Sequence, residues 1–292
     1  MNALGKFSHT QRILIEEELT SAIRELNAPE TLKESMLYSI NAGGKRIRPL
    51  LLLAVMETFG GETEKGLKTA AALEMIHTYS LIHDDLPSMD DDDLRRGLPT
   101  NHKVYGEAVA ILAGDALLTK SFELVADSSI DPQSKVSIIS MLSSASGAEG
   151  MVGGQIADIE GENKPLSLEE LESVHRRKTG RLLEFAATAG GLLSGLGQNE
   201  LNQLRQFAEH IGLAFQIRDD ILDVEGKVEE IGKPVGSDEG RQKSTYPAIL
   251  GMDQAKEKLA YHLAEARGLL YDLHEEPVLL LELSDLIGSR KN

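Results

Sequence analysis

The chain has no cysteine, so neither a disulfide framework nor a thiolate metal site can be built from it. A reducing compartment suits such a composition. Positive charge is also scarce. Thirty Lys and Arg stand against 47 Asp and Glu, a formal net charge of −17 over 292 residues. That surface repels polyphosphate backbones, so no nucleic-acid partner is expected. Long apolar runs are missing too. Nothing approaches the roughly 18–20 residues a membrane span needs, and the longest stretches, such as residues 50–56, are of core length. The amino terminus, MNALGKFSHTQRILIEEEL, has neither a long apolar segment nor a cleavage-site pattern. The expected compartment is the cytoplasm. Short alternating runs bounded by turn residues, the mark of strands, are few. No repeat, low-complexity block or shift of composition divides the chain, so one domain over 1–292 is expected.

What the sequence does carry is helix. Ser8-His9-Thr10-Gln11 resembles a capping box ahead of Ile13, Leu14 and Leu19. Gly43-Gly44 closes a helix near Asn41, and a further helix over 48–59 stops at Gly60-Gly61. A long apolar helix spans 64–85 until Pro87 disrupts it. Helices follow at 105–125 and at 132–148, the latter opened by Asp131-Pro132 as N-cap and first residue. Ser167 to Glu170 is a second capping box, and helices are expected at 168–178, 181–194, 199–224, 253–272 and 277–288. The polar stretch 225–245 is long enough for a functional lid. The fold class is all-α.

Two aspartate clusters lie well over a hundred residues apart. In the second, Gln216-Ile217-Arg218-Asp219-Asp220-Ile221-Leu222-Asp223, Asp219 and Asp223 are four apart and share a helix face, with Asp220 flanking and Gln216 one turn earlier. Like charges at that spacing destabilise a bare helix, and a bound cation would compensate. Hard carboxylate oxygens suit Mg²⁺, which keeps waters and shares its shell with phosphates. The competing reading is a solvated acidic face, although Phe215, Ile217, Ile221, Leu222 and Val224 surround the acids with apolar side chains. In the first cluster Asp84 and Asp85 end the long helix, Pro87 opens a loop carrying Asp90 to Asp93, and Arg95-Arg96 follow. Carboxylates beside paired arginines suit a metal–diphosphate site. The alternative is a loop neutralised by its own ion pairs. A third feature, Gly43-Gly44-Lys45-Arg46-Ile47-Arg48-Pro49, sets cations at the mouth of a helix, where an anion would be welcome. It lacks the Walker spacing, and a plain basic turn explains it as well. Lys178-Thr179, Lys233, Lys243 and His77 are weaker individual candidates.

In order along the chain, GGKRIRP, EMIHTYSLIHDDLPSMDDDDLRRG, GMVGGQIADI, KTGRL, FQIRDDILD and KSTYP together resemble the trans-isoprenyl diphosphate synthase family, in its bacterial farnesyl-forming branch. The resemblance implies a helical bundle around a deep central cavity, usually dimeric, with the aspartate motifs facing across its mouth. It implies Mg²⁺ as cofactor, about three ions per site, held by Asp84, Asp85 and Asp90 on one wall and Asp219, Asp220 and Asp223 on the other. Arg95, Lys178, Lys233 and Lys243 would hold the allylic diphosphate, with Thr179 and Gln216 lining the site. Lys45, Arg48, His77 and Arg96 would bind isopentenyl diphosphate. Asp84, Asp85, Asp219, Lys178 and Arg95 would carry catalysis, which condenses isopentenyl diphosphate with dimethylallyl and geranyl diphosphates. Tyr79 and Ser80, five and four residues before Asp84, would set chain length from about 6–8 Å deeper. A spacer of four residues between Asp85 and Asp90 matches the bacterial form, whereas Gln242 stands where the family pattern has glycine before Lys243. Three rival readings remain: a terpene cyclase, a non-catalytic partner subunit, and the same reaction with another product length.

Overall fold

A computed structural model describes residues 2–162, 164–225 and 243–290. It is helical almost throughout. α1 (Ala3–Arg24), α2 (Glu30–Asn41), α3 (Ile47–Thr58) and α4 (Thr63–Asp84) lead to a two-stranded hairpin, β1 (Leu94–Arg95) and β2 (Leu98–Pro99). After it come α5 (Asn101–Tyr105), α6 (Glu107–Ala126), α7 (Pro132–Ser146), α8 (Met151–Gly161) and α9 (Leu168–His175). A π-helical turn (Arg176–Gly180) joins α9 to α10 (Arg181–Leu193), and α11 (Gln198–Glu225) follows. The last described elements are α12 (Tyr246–Leu250), α13 (Met252–Leu273) and α14 (Val278–Ser289).

The burial pattern explains the layout. α3 buries every residue from Pro49 to Met56; a helix apolar all round belongs in the centre. It packs against α4, α10 and α14, while α4 leans on α6 and α10 on α11. A smaller cluster, Leu171, Ala214, Ile217, Ile221, Tyr246, Ala255 and Leu259, joins α9, α11, α12 and α13. The lower half of α11 therefore belongs to the second cluster, and its upper half, with Phe207 and Ile211, to the main core. None of the described helices is long and apolar enough to cross a membrane.

Caps account for many boundaries. Asp131 accepts from the Ser134 N–H ahead of Pro132, and Ser167 with Glu170 forms the full capping box. Elsewhere the structure corrects the sequence reading. α1 starts five residues before Ser8, because Asn2 caps it through the Gly5 N–H; the Ser8 hydroxyl instead donates to the Gly5 carbonyl inside the first turns. The expected helix over 105–125 is broken at Gly106, whose φ of 84° no helix accommodates. Residues 168–193 run through a π turn without interruption. Val224 is exposed, so the apolar shell around the second acidic cluster is incomplete. Most of the stretch 225–245, expected as a lid, lies outside the described residues.

Candidate active site

A cavity of about 470 Å³ opens between α4, α8 and the π turn, with Arg48 of α3 at its edge. That is within the range for small-molecule sites, about 300–1,000 Å³. Asp84, at the last turn of α4, lines it together with Lys178 and Thr179. Pro87 turns the chain so sharply that the Asp90 N–H bonds back to the Asp84 carbonyl at 2.9 Å, bringing the two acids side by side. Burial pushes the Asp84 carboxyl up to about 6; Lys178 opposes this and Asp90 adds to it. Loss of water is the main cause, and Lys178 and Arg95 only partly offset it.

Asp85 faces elsewhere. It is buried and takes a forked contact from Arg95, with Nε at 2.8 and 3.0 Å from its two oxygens and Nη2 on Oδ1. Burial raises its pKa, against the pull of that hydrogen bond. Arg95 and Arg96 sit on the hairpin, whose turn residues Arg96 and Gly97 have φ of 55° and 78°, as a tight two-residue turn requires. The turn carries the Arg96 guanidinium to the Gly43 carbonyl. It lies flat over Gly44, where a Cβ would meet its Cζ at 2.6 Å.

Around that turn a cationic lobe assembles. Arg48 Nη1 is 3.3 Å from His77 Nε2. Guanidinium only donates, so Nε2 accepts and the ring is neutral with its hydrogen on Nδ1. Burial first, then Arg48 and Arg96, hold the His77 pKa well below its usual value. Burial likewise lowers Lys45, with Arg290 adding and Asp219 opposing. Arg46, between Lys45 and Arg48, has a different task. It is buried with φ 53°, bonds Glu74 at 2.7 Å and the Ile40 carbonyl at 2.6 Å, and ties the glycine turn to α4.

α11 packs against the π turn. Thr179 of the π turn donates to Gln216 Oε1 at 2.9 Å, which links α11 to the cavity. Asp219, one turn on, is paired with Arg290 at 2.6 Å. Arg290 stacks over the Phe215 ring at 3.7 Å and donates to the Phe215 carbonyl at 2.7 Å. Asp223 shares the Asp219 face of α11. Asp220, about 100° round the helix, is buried and accepts from the Tyr246 N–H at 2.9 Å, with His175 at 3.9 Å. Its carboxylate therefore serves the start of α12.

The π turn gives Lys178 its place. One extra residue in a helical turn re-aims the side chains that follow, and such turns recur at functional sites. Here α8 presses so close that a Cβ on Gly154 would lie 2.2 Å from the Lys178 backbone nitrogen. Lys178 and Lys243 both reach Asp158 Oδ2 of α8, at 2.6 and 3.0 Å. Burial alone would raise the Asp158 pKa, but the two lysines hold it below its ordinary value. Sequence reasoning quoted the segment around Asp158 without assigning the residue; its only signal was an acid amid glycines, with its partners 20 and 85 positions away. Tyr79 and Ser80 line the cavity below Asp84. Lys233 lies outside the described residues.

The donor set fits a magnesium ion. Asp84, Asp90, Asp219 and Asp223 offer hard oxygens of the kind Mg²⁺ takes. Among the described residues no three His, Cys, Asp or Glu groups converge on one point. Paired carboxylates leave coordination positions for water and phosphate oxygens, as Mg²⁺ prefers.

A family model described as Polyprenyl synthetase matches residues 29–269, and the chain belongs to that family. The farnesyl diphosphate synthase of Bacillus subtilis (strain 168) is 52% identical over 99% of both chains. That of Geobacillus stearothermophilus is 52% identical over 99% of this chain and 98% of its own. Among solved structures, geranylgeranyl pyrophosphate synthetase from Pyrococcus horikoshii Ot3 superposes with a TM-score of 0.88 at 32% identity, covering 98% of each chain.

Proposed function

We propose that the chain is a (2E,6E)-farnesyl diphosphate synthase, which joins isopentenyl diphosphate first to dimethylallyl and then to geranyl diphosphate. One observation carries the reading: two separate groups of polar side chains, each suited to a diphosphate, meet at one apolar cavity. Asp84, Lys178 and Thr179, linked through Gln216 to α11, form one site, and Arg48 and His77, beside Lys45 and Arg96, form the other. The relatives named above support it. A terpene cyclase needs only the first site.

In this reading Lys178, Lys243 and Arg95 hold the allylic diphosphate, joined by Lys233. Asp85 orients Arg95, and Asp158 keeps the two lysines side by side before substrate arrives. Asp84 and Asp90, facing Asp219 and Asp223, would hold Mg²⁺. When bound, the metal offsets the charge that grows on the departing diphosphate oxygens. The allylic C1–O bond breaks and its electron pair leaves with the diphosphate. The isopentenyl double bond, steered by Lys45, Arg48, His77 and Arg96, attacks C1, and the released diphosphate takes the proton. Buried apolar side chains of Leu86, Met151 and Leu182 line the cavity and would keep water from the cation. Working as a cytoplasmic homodimer belongs to the proposal; exposed Leu112 and Val136 support self-association, and sedimentation at twice 31.8 kDa tests it.

Product length rests on the floor, since the Pyrococcus relative shares the fold under a longer-chain name. The test is radiolabelled isopentenyl diphosphate with dimethylallyl or geranyl diphosphate, followed by chain analysis. Fifteen-carbon product is expected, with twenty carbons appearing on Tyr79→Ala. Hydrocarbon released from farnesyl diphosphate alone would identify a cyclase instead, and no transfer at all a non-catalytic subunit.

A further inference from the structure

Tyr79 does not close the cavity unaided. One turn above it on α4, His83 sets its ring edge-on to the Tyr79 ring, with centroids 5.7 Å apart and planes at 80°. The far edge of the imidazole reaches α6, where Nε2 lies 3.0 Å from the Ile111 carbonyl. A carbonyl only accepts, so Nε2 carries the hydrogen, and Asp115 at 3.9 Å favours that arrangement. The imidazole fits because residue 114 has no side chain. A Cβ on Gly114 would fall 2.2 Å from Nε2 and 2.5 Å from Cδ2. His83 is thus wedged between a notch in α6 and the edge of Tyr79, and both rings line the cavity.

We infer that His83, seated in the Gly114 notch, is a second determinant of product length, a positioning residue that holds the Tyr79 ring as the floor. The inference rests on the prenyl diphosphate synthase reading above. It gives two substitutions opposite signs. Removing the imidazole lets Tyr79 swing toward α6 and deepens the cavity. Adding a methyl at Gly114 drives the imidazole out of its notch toward the cavity and makes it shallower. In the second case the clash falls on the far end of a side chain and not on backbone, so α6 keeps its position.

The experiment compares product ratios in the wild type, His83→Ala and Gly114→Ala, with labelled isopentenyl diphosphate and either starter. A hydrophobic wall discriminates one isoprenoid step about as pockets discriminate added carbons, so His83→Ala is expected to raise the twenty-to-fifteen-carbon ratio by about tenfold. Gly114→Ala is expected to shift the balance the other way, releasing more ten-carbon product from dimethylallyl diphosphate. A role confined to placing Asp84 would lower total turnover in both variants with unchanged ratios, and that result overturns the inference while leaving the enzyme reading intact. A wild type that transfers no label overturns both.

Discussion

The ends of α4 and α11 each carry a pair of neighbouring aspartates, and in each pair the two have parted company. Asp84 lines the cavity and Asp219 pairs with Arg290, while Asp85 and Asp220 are buried. The second members differ in what they hold. Asp85 grips a side chain, the Arg95 guanidinium, that the proposed mechanism needs. Asp220 grips backbone, the Tyr246 N–H at the head of α12, three residues after Lys243. One buried acid therefore holds a side chain directly, and the other fixes the segment that follows Lys243. The same residue type, in the second position of each pair, orders a side chain in one place and backbone in the other.

The largest effects should come from the first members. Asp84→Ala and Asp219→Ala are each expected to cut turnover on the order of a thousandfold. Asp84→Ala should also leave the melting temperature unchanged or raised, because the carboxyl it removes is one that burial disfavours. Near-normal rates would remove the metal assignment. Asp85→Asn should next cost about a hundredfold in kcat/KM for geranyl diphosphate, through misplacement of Arg95, with little change in melting temperature. Asp220→Ala should reverse that balance. An orphaned buried N–H costs about 2 kcal/mol of stability, seen in urea unfolding, with only a modest loss of rate.

The smallest effect concerns the tie of α11 to α13. His210 and His262 face each other with Nδ1 atoms 2.9 Å apart. Burial, then His210, depresses His262 from 6.5 to about 4. The unfolded chain therefore binds a proton between those values that the folded chain refuses, so stability falls as pH drops through the window. Asp84 works in the opposite direction below about 6, because its folded pKa is raised above 3.8. The discriminating measurement is the difference in melting temperature between wild type and His262→Gln across pH 4–6.5, expected to shrink as pH falls. A constant difference would show that the pair does not titrate with folding.

Helices such as α3, α4, α7 and α11 were legible because their signals are local: apolar periodicity, Asp131-Pro132, a capping box at Ser167, a stop at Gly60. α8 was hidden by Gly153 and Gly154, which lower helix propensity; Gly154 leaves room for the π turn and Gly153 for the backbone at Ala148. The π turn has no local signature, since its extra residue is set by packing between α8 and α11. For the site, residue type and spacing pointed to both aspartate clusters, but not to which member of each pair faces inward. That choice is made by partners far along the chain, Arg95 for Asp85 and Tyr246 for Asp220. Asp158, whose two lysines come from distant elements, was invisible for the same reason.

The central claim is that acids distant in sequence act jointly on one diphosphate through magnesium. Calorimetric titration of inorganic diphosphate, with and without Mg²⁺, tests it on the wild type, Asp84→Ala, Asp219→Ala and the double variant. Binding is expected only with Mg²⁺ in the wild type, to be lost in either single variant, and to be no weaker in the double. Binding that ignores the metal, or losses that simply add, would contradict it.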